Sequence, residues 1–273
     1  MRRPAATIII NAFLIATAIL TILPLLWMLS ASFMPSGEAT VFPPRFLPSR
    51  PTITHYHELF SRIHFGRNFA NSMIVAGAIT MFSLLLNSMA GYAFAKLRFG
   101  GRDRLFAVLV AALVIPTQVG MLPLFLVLKS VHLINSYWGV ILPSMATIFG
   151  IFLIRQFMLS IPDELLDAAR VDGAGEFRIY WSIVMPLARP VLVTLAIFMF
   201  MSAWNDFMWP LIVLTDDAKY TLPVAVANLV GEHVQDTELM MASSVLTVLP
   251  VLLLFLALQR HYIAGIMAGS VKG

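Results

Sequence analysis

Few residues of this chain have the types and spacing that catalytic or metal chemistry requires. It contains six histidines and no cysteine, which excludes disulfides and thiol chemistry. Only His55 and His57 are close in sequence; in an extended loop they could share a metal ion, but solvated loop residues are the favoured interpretation. No HExxH pair or nucleophile with a paired base stands out. We therefore expect no catalytic residue and no metal site.

The sequence also lacks a GxxxxGK[ST] phosphate-binding loop. A chain without that loop does not bind ATP in the usual way. We expect this chain to bind no cofactor, and any energy from ATP must enter through a separate subunit.

A few polar residues interrupt the apolar segments. Such groups are costly at membrane depth and are commonly functional, so they are candidates for a pathway lining or a gate. These candidates are Asn87, Thr117, Gln118, Asn205 and Asp206. Two alternatives stay open, because helix packing uses the same amide and hydroxyl groups and because Asp206, beside two tryptophans, fits an interfacial aromatic belt.

These residues lie in a chain dominated by hydrocarbon side chains. Of its 273 residues, 59% are hydrophobic and 12% are charged, and the mean hydropathy is +0.86. Six continuously apolar runs are long enough to cross a bilayer as helices, which takes roughly 20 residues. The predicted spans are 7–33, 69–95, 105–128, 136–158, 183–214 and 239–259. The sequence thus predicts an all-α polytopic membrane protein with one transmembrane domain over residues 1–273.

The charge distribution predicts an orientation. The first span exceeds the 7 to about 15 apolar residues of a signal peptide, so we expect it to be retained. If the N-terminus is cytoplasmic, 12 of the 18 lysines and arginines lie on the cytoplasmic side and 6 on the opposite side of the membrane. This excess on the cytoplasmic side follows the positive-inside rule. Both termini and loop 159–182 are then cytoplasmic, loop 34–68 is extracytoplasmic, and the positive charge needs no nucleic-acid partner.

The extracytoplasmic loop contains a helical pattern. His55, Leu59 and Ile63 recur at helical spacing, together with Tyr56 and Phe60. We expect a short amphipathic helix, packed on the bundle rather than reserved for a partner.

The segment from Ser160 to Pro190 is polar and predicts two helices around a glycine. Ser160 can cap the first helix, whose acidic first turn contains Asp163 and Glu164. Gly173 can end it in the left-handed conformation. A second helix near Glu176 should present one face, formed by Phe177, Tyr180, Trp181 and Val184. Physical reasoning alone favours an interfacial connector over a knob that docks into a partner.

The residue pattern of this segment favours docking. DAARVDGAGEFRIYWSIVMPLARP, residues 167–190, resembles the EAA motif of ABC importer permeases, the loop that docks on the ATP-hydrolysing subunit. Asp167, Ala168 and Ala169 match the E-A-A positions, Gly173 follows Asp172 as the key glycine, and two prolines lie downstream. Asp167 departs from the usual glutamate by one methylene. The docking residues implied by the resemblance are Asp163, Glu164, Asp167, Ala168, Ala169, Asp172, Gly173 and Ala174.

Further sequence matches indicate a subgroup of these ABC importer permeases. Residues 87–103, 202–214 and 259–273 are similar to carbohydrate-uptake permeases of the maltose-transporter type, and six spans fit the smaller of their two permease subunits. The resemblance implies a type I ABC importer transmembrane domain. It also implies a C-terminal tail that contacts the ATPase through Gly269, Ser270, Val271, Lys272 and Gly273.

The resemblance implies a function as well as a fold. The chain would be a non-catalytic permease subunit in the bacterial inner membrane that forms half of a pathway for a sugar or oligosaccharide. Its partners would be a second homologous permease, two ATPase subunits that bind ATP and Mg²⁺, an extracytoplasmic solute-binding protein and the lipid bilayer. The alternatives are import of a polyol, a glycerol phosphate or another small polar solute and, from a different class, a self-contained membrane enzyme or receptor.

Overall fold

The computed structural model describes residues 4–61, 64–232 and 236–270, and within them the chain is all-helical with no strand. The α-helices are α1 Pro4–Ala31, α2 Thr54–Ser61, α3 Phe65–Lys96, α4 Arg102–Ala111, α5 Thr117–Ser130, α6 Tyr137–Ser144, α7 Ile148–Met158, α8 Asp163–Val171, α9 Glu176–Ile179, α10 Met185–Leu187, α11 Arg189–Trp204, α12 Met208–Val213, α13 Leu222–Glu232 and α14 Thr237–Ser270. Short 3₁₀ segments occupy Ala112–Val114 and Asp217–Lys219, and Tyr180–Val184 is π-helical. The all-helical prediction is confirmed.

The described helices contain four segments that are long and apolar enough to cross a membrane. These are Ile8–Ala31, Phe65–Lys96, Tyr137–Met158 and Thr237–Ala257. Two bent pairs raise the count to six if each pair is one span: Arg102–Val114 with Thr117–Ser130, and Glu176–Leu187 with Arg189–Trp204. The six predicted spans agree with this upper figure.

The predicted span 105–128 is broken rather than continuous. The axes on either side of Pro116 differ by 104°. Ile115 is extended, with φ −80° and ψ 118°, because the ring of a following proline disfavours the helical conformation. The apolar composition predicted the span but not its sharp bend.

The predicted span 183–214 is also bent and interrupted rather than one straight helix. A 79° bend separates Glu176–Leu187 from Arg189–Trp204, where Pro186 and Pro190 both lack the N–H that an α-helix uses. Asn205 then ends α11, and the short α12 follows separately.

The chain divides into two compact units, Met1–Arg67 with Ala225–Pro250 and Asn68–Val224 with Val251–Gly273. In the first unit, the predicted loop helix is present as α2, with His55 and Leu59 buried and Phe60 exposed; Ile63 lies outside the described residues.

Two buried glutamates of the first unit, Glu38 and Glu238, form hydrogen bonds to the loop that precedes α2. Glu38 accepts hydrogen bonds from the backbone and hydroxyl of Ser49, and Glu238 accepts one from the backbone N–H of Ala39 at 2.7 Å.

The second unit contains two apolar cores. One joins α3, α7, α8 and α11 through a set of buried residues that includes Tyr92, Ile154, Leu166, Ile179 and Leu195. The other surrounds Trp209, whose indole N–H donates to the carbonyl of Gly139. The first core is the one that positions the polar segment.

Candidate functional site

Helix α8 begins at Asp163, after Pro162, and has no side-chain cap. Asp163 and Glu164 lie in its first turn, where negative charge favours the helix dipole. The prediction that Ser160 caps this helix is wrong. The Ser160 hydroxyl donates backward to the carbonyl of Phe157 at 2.6 Å, at the end of α7.

Gly173 ends α8 in the left-handed conformation, with φ 82°. The N–H of Ala174 reaches the carbonyl of Ala169 at 2.9 Å, and the N–H of Gly173 reaches that of Arg170 at 3.0 Å. These two bonds form a Schellman motif. The flanking alanines, Ala169 and Ala174, both pack on the apolar core, which completes the hydrophobic contact typical of this motif. Ala168 and Asp172 belong to the same turn, since the N–H of Asp172 bonds to the carbonyl of Ala168.

Lys96, the last residue of α3, fixes the start of α8. Its ammonium donates to Oδ1 of Asp163 and to the carbonyl of Ile161, both at 2.6 Å. The Lys96 side chain is 4% exposed, whereas that of Asp163 is 75% exposed. The hydrogen bond from Lys96 lowers the pKa of Asp163, and the positive charge of Lys96 adds to the effect. One carboxylate thus links α3 to α8 and still faces outward.

Arg170 joins α8 to α9. Its guanidinium donates from Nη1 to Asp167 at 2.6 Å and from Nε to Glu176 at 2.7 Å. The hydrogen bond to Glu176, followed by that to Asp167, raises the pKa of Arg170, so it stays charged. Tyr92 of α3 donates to the second oxygen of Glu176 at 2.5 Å. The first residue of each helix, Asp163 of α8 and Glu176 of α9, is therefore bonded to α3.

The apolar faces of the segment differ from the prediction. Leu166, Ile179, Tyr180 and Val184 are buried in the core. Phe177 and Trp181 were predicted on the same face as Tyr180 and Val184, but they are 70% and 43% exposed. The π-helical turn at Tyr180–Val184 changes the angular spacing, so the assumed helical period does not hold. Leu165 and Val171 of α8 are also exposed.

Sequence reasoning missed four residues that position this segment: Tyr92, Lys96, Arg170 and Glu176. The i, i+3 spacing of Asp167 and Arg170 is a recognisable pairing signal. No local pattern links Lys96 or Tyr92 to residues more than sixty positions away.

Asn87 is buried completely between α3 and α7. Its Oδ1 accepts from the N–H of Thr147 at 3.0 Å, and its Nδ2 donates to Ser83 at 2.6 Å. These bonds favour a packing role over a pathway lining, because the amide is already satisfied within the protein.

Thr117 and Gln118 lie exposed at the start of α5, directly after the 104° bend. The first N–H groups of a helix have no partner in that helix, and hydrocarbon cannot satisfy them. Within a membrane, such a break is tolerated where it faces water or another protein. Their assignment to a pathway stays a prediction that this geometry favours.

Asn205 and Asp206 follow α11 and are not part of a continuous helix. The Asn205 amide donates to the carbonyl of Met201 at 2.8 Å. The Asp206 carboxylate accepts from the N–H of Trp209 at 3.4 Å, which caps the start of α12. The predicted gate role is untested, and both side chains have a local structural role.

The predicted C-terminal contact lies at the limit of the described chain. Gly269 and Ser270 end the backbone of α14, and Val271, Lys272 and Gly273 lie outside the described residues.

The geometry above lies within a family match that spans residues 84–267, to the binding-protein-dependent transport system inner membrane component. The chain belongs to this family. It is therefore a multi-pass component of the inner membrane that serves a binding-protein-dependent transport system. The family match covers α8, α9 and the helices that hold them.

Relatives extend the similarity beyond that match. The chain is 38% identical over 262 residues to the arabinooligosaccharides transport system permease protein AraQ of Halalkalibacterium halodurans, covering 94% of this chain and 93% of the relative. It is 33% identical to the diacetylchitobiose uptake system permease protein NgcG of Streptomyces coelicolor, covering 99% and 90%.

A solved structure has the same fold. It is a bacterial ABC transporter involved in the import of the acidic polysaccharide alginate. The match has a TM-score of 0.85 and 24% identity, over 95% of this chain and 98% of that one.

Proposed function

We propose that this chain forms half of the translocation pathway of an ABC importer for a sugar or oligosaccharide. The main support for this proposal is the segment formed by α8 and α9. It is bonded to α3 at two points and still presents an exposed surface. The sugar class is supported by the substrates in the names of AraQ and NgcG. The chain itself performs coupling and gating, without covalent chemistry.

The coupling step begins at the exposed surface of α8. Two ATPase subunits, which bind ATP and Mg²⁺, close on ATP binding and displace the docked helix. Lys96–Asp163 and Tyr92–Glu176 pass that displacement to α3, because both bonds connect the segment directly to that span. The pathway then opens outward, accepts the solute from an extracytoplasmic binding protein, and resets after hydrolysis.

The position of the basic residues supports the proposed orientation. Lys96 bonds to Asp163, so the end of α3 and the start of α8 lie at the same end of this unit. Arg155 donates to the carbonyl of Phe94 at 3.2 Å and lies over the ring of Phe106. A concentration of cations at this end supports its cytoplasmic placement, and both termini then face the cytoplasm.

A second permease subunit and lipid cover the remaining apolar surface. Residues 8–26 of α1 are all exposed within the chain. A helix so apolar needs hydrocarbon or another helix around it. The exposed break before Thr117 needs water or protein, and the interface with the second permease supplies both in the proposed pathway.

ATP-driven uptake into proteoliposomes tests the proposal. The complete complex is reconstituted with its binding protein and offered labelled mono-, di- and oligosaccharides, polyols and glycerol 3-phosphate. We expect uptake of a saccharide that requires both ATP and the binding protein. Uptake of a polyol or glycerol phosphate alone would correct the substrate class, and uptake of none would overturn the proposal.

Mild-detergent purification tests the assembly separately. We expect a second permease and an ATPase to copurify with the tagged chain. Recovery of the chain alone, from cells that express all components, would contradict the heteromeric pathway.

A further inference from the structure

The first unit contains a cluster of metal-ligating side chains that the transport function does not use. His55 and Glu58 lie one turn apart on α2, and Asp236 directly precedes α14. One ligand atom from each of the three lies within 4.8 Å of the other two. We propose that this cluster binds a divalent transition-metal cation, with Zn²⁺ as the first candidate.

The hydrogen bonding of His55 prepares its ring as a ligand. Nε2 lies 2.9 Å from the carbonyl oxygen of Met34. A carbonyl can only accept, so Nε2 carries the proton and the neutral ring has its lone pair on Nδ1. Metal-bound histidines are commonly held in this way, with the second ring nitrogen donating to a carbonyl.

The Nδ1 atom of His55 is buried and has no hydrogen-bond partner. The whole side chain is 2% exposed, and Nδ1 lies 3.8 Å from Oδ1 of Asp236. That separation exceeds the 2.7 to about 2.9 Å of a charge-assisted hydrogen bond. A buried lone pair facing a carboxylate is unfavourable unless a cation lies between them.

The charges and distances fit a small divalent ion. Two carboxylates and a neutral imidazole together supply two negative charges, which one divalent cation balances. Zn²⁺ takes such ligands at roughly 2.0 to 2.2 Å, so in tetrahedral geometry two bound ligand atoms lie about 3.5 Å apart. Binding therefore draws the three side chains roughly 1 Å closer together than they lie in this structure. The Oδ1 atom of Asp236 is already oriented by the N–H of Leu239 at 3.0 Å.

The imidazole selects among cations. Mg²⁺ and Ca²⁺ prefer oxygen ligands, whereas a nitrogen with two carboxylates suits Zn²⁺ or its first-row neighbours. Water completes the coordination. Bound metal would fasten the loop helix α2 to the start of α14, beside the existing bond between Ala39 and Glu238.

The sequence analysis weighed His55 and His57 as a pair of metal ligands and predicted no metal site. In the structure, His57 is exposed and is not part of the cluster.

Metal binding by the full-length chain in lipid nanodiscs tests this inference. The protein is purified through a histidine-free tag, stripped with EDTA, and titrated with Zn²⁺, Mn²⁺, Ca²⁺ and Mg²⁺. We expect one equivalent of Zn²⁺ per chain by elemental analysis, with weaker Ca²⁺ and Mg²⁺ binding. Zn²⁺ should also raise the thermal unfolding midpoint.

His55→Gln and Asp236→Asn should each weaken Zn²⁺ binding at least about tenfold and abolish the thermal shift. His57→Gln is the matched control and should retain both. Glu58→Gln, at a partly exposed position, provides a variant if His55→Gln fails to fold. No stoichiometric Zn²⁺ on the wild-type chain, or equal binding by the His57 control and all ligand variants, would overturn the site.

Discussion

Arg170 donates from Nη1 to Oδ1 of Asp167 across 2.6 Å, one turn apart on α8. This pairing shows how the aspartate, one methylene shorter than the usual glutamate of the motif, is held. The same guanidinium also holds Glu176 of α9. Asp167 is therefore part of the bonding that fixes the angle between the two helices, and its carboxylate remains 67% exposed for an external contact.

Replacing Arg170 should uncouple the ATPase from transport. In Arg170→Gln, neither carboxylate retains its charged partner, so the helices lose their shared bond. We expect binding-protein-stimulated ATPase activity and uptake to fall several-fold, whereas membrane insertion is kept. Arg178→Gln is the control, because Arg178 is exposed on the same segment. Equal losses in both variants would indicate a general charge effect.

Asp167 gives a second prediction on the same pair. Asp167→Ala removes the partner of Arg170 and the outward carboxylate, so stimulated ATPase activity should weaken. Asp167→Glu keeps the charge and still reaches Arg170 at i, i+3, so activity should be preserved or increased. Full activity in Asp167→Ala would contradict a docking role for this carboxylate.

Gly173 requires the left-handed backbone, and a β-branched side chain is strained there. Gly173→Val should cost about 1 to 2 kcal/mol locally and misalign α8 with α9. We expect lower stimulated ATPase activity with normal membrane insertion. Gly175→Ala is the matched control: Gly175 has φ −72°, and an added Cβ meets nothing within 4 Å. Unchanged coupling in Gly173→Val would refute the positional role of this turn.

Local patterns predicted the turn at Gly173 but not the packing around it. Glycine after an amphipathic run, with acids at the start, is sufficient to place α8 and its end. The apolar run 105–128 predicted a span, but not the 104° bend at Pro116. Lys96 bonds to Asp163 across 67 positions, and His55 approaches Asp236 from the opposite end of the chain. Such long-range pairs depend on helix packing, which composition and periodicity do not encode.

Variants of Asn87 and Thr117 should distinguish a role in helix packing from a role in lining the pathway. Asn87→Ala leaves the part-buried N–H of Thr147 without its acceptor, so we expect a loss of about 1 to 3 kcal/mol in unfolding free energy and an unchanged order of substrate preference. Thr117→Ala alters an exposed side chain, so stability should stay within about 0.5 kcal/mol, while the KM for uptake changes. Thermal unfolding and uptake of two competing saccharides measure both effects. A reversed result would assign the pathway role to Asn87.

The bond between Lys96 and Asp163 predicts a pH-dependent contribution to stability. The folded-state pKa of Asp163 is lowered, so its contribution is fully present above the ordinary aspartate pKa of about 3.9. It is lost as the pH falls through the lower folded-state value. The difference in unfolding midpoint between wild type and Asp163→Asn should be constant from pH 7 to about 5 and then shrink toward pH 3. Because Asp163 is 75% exposed, the effect should stay within about 1 kcal/mol. Asp172→Asn, outside the Lys96 contact, is the control, and a difference that grows on acidification would contradict the assigned bond.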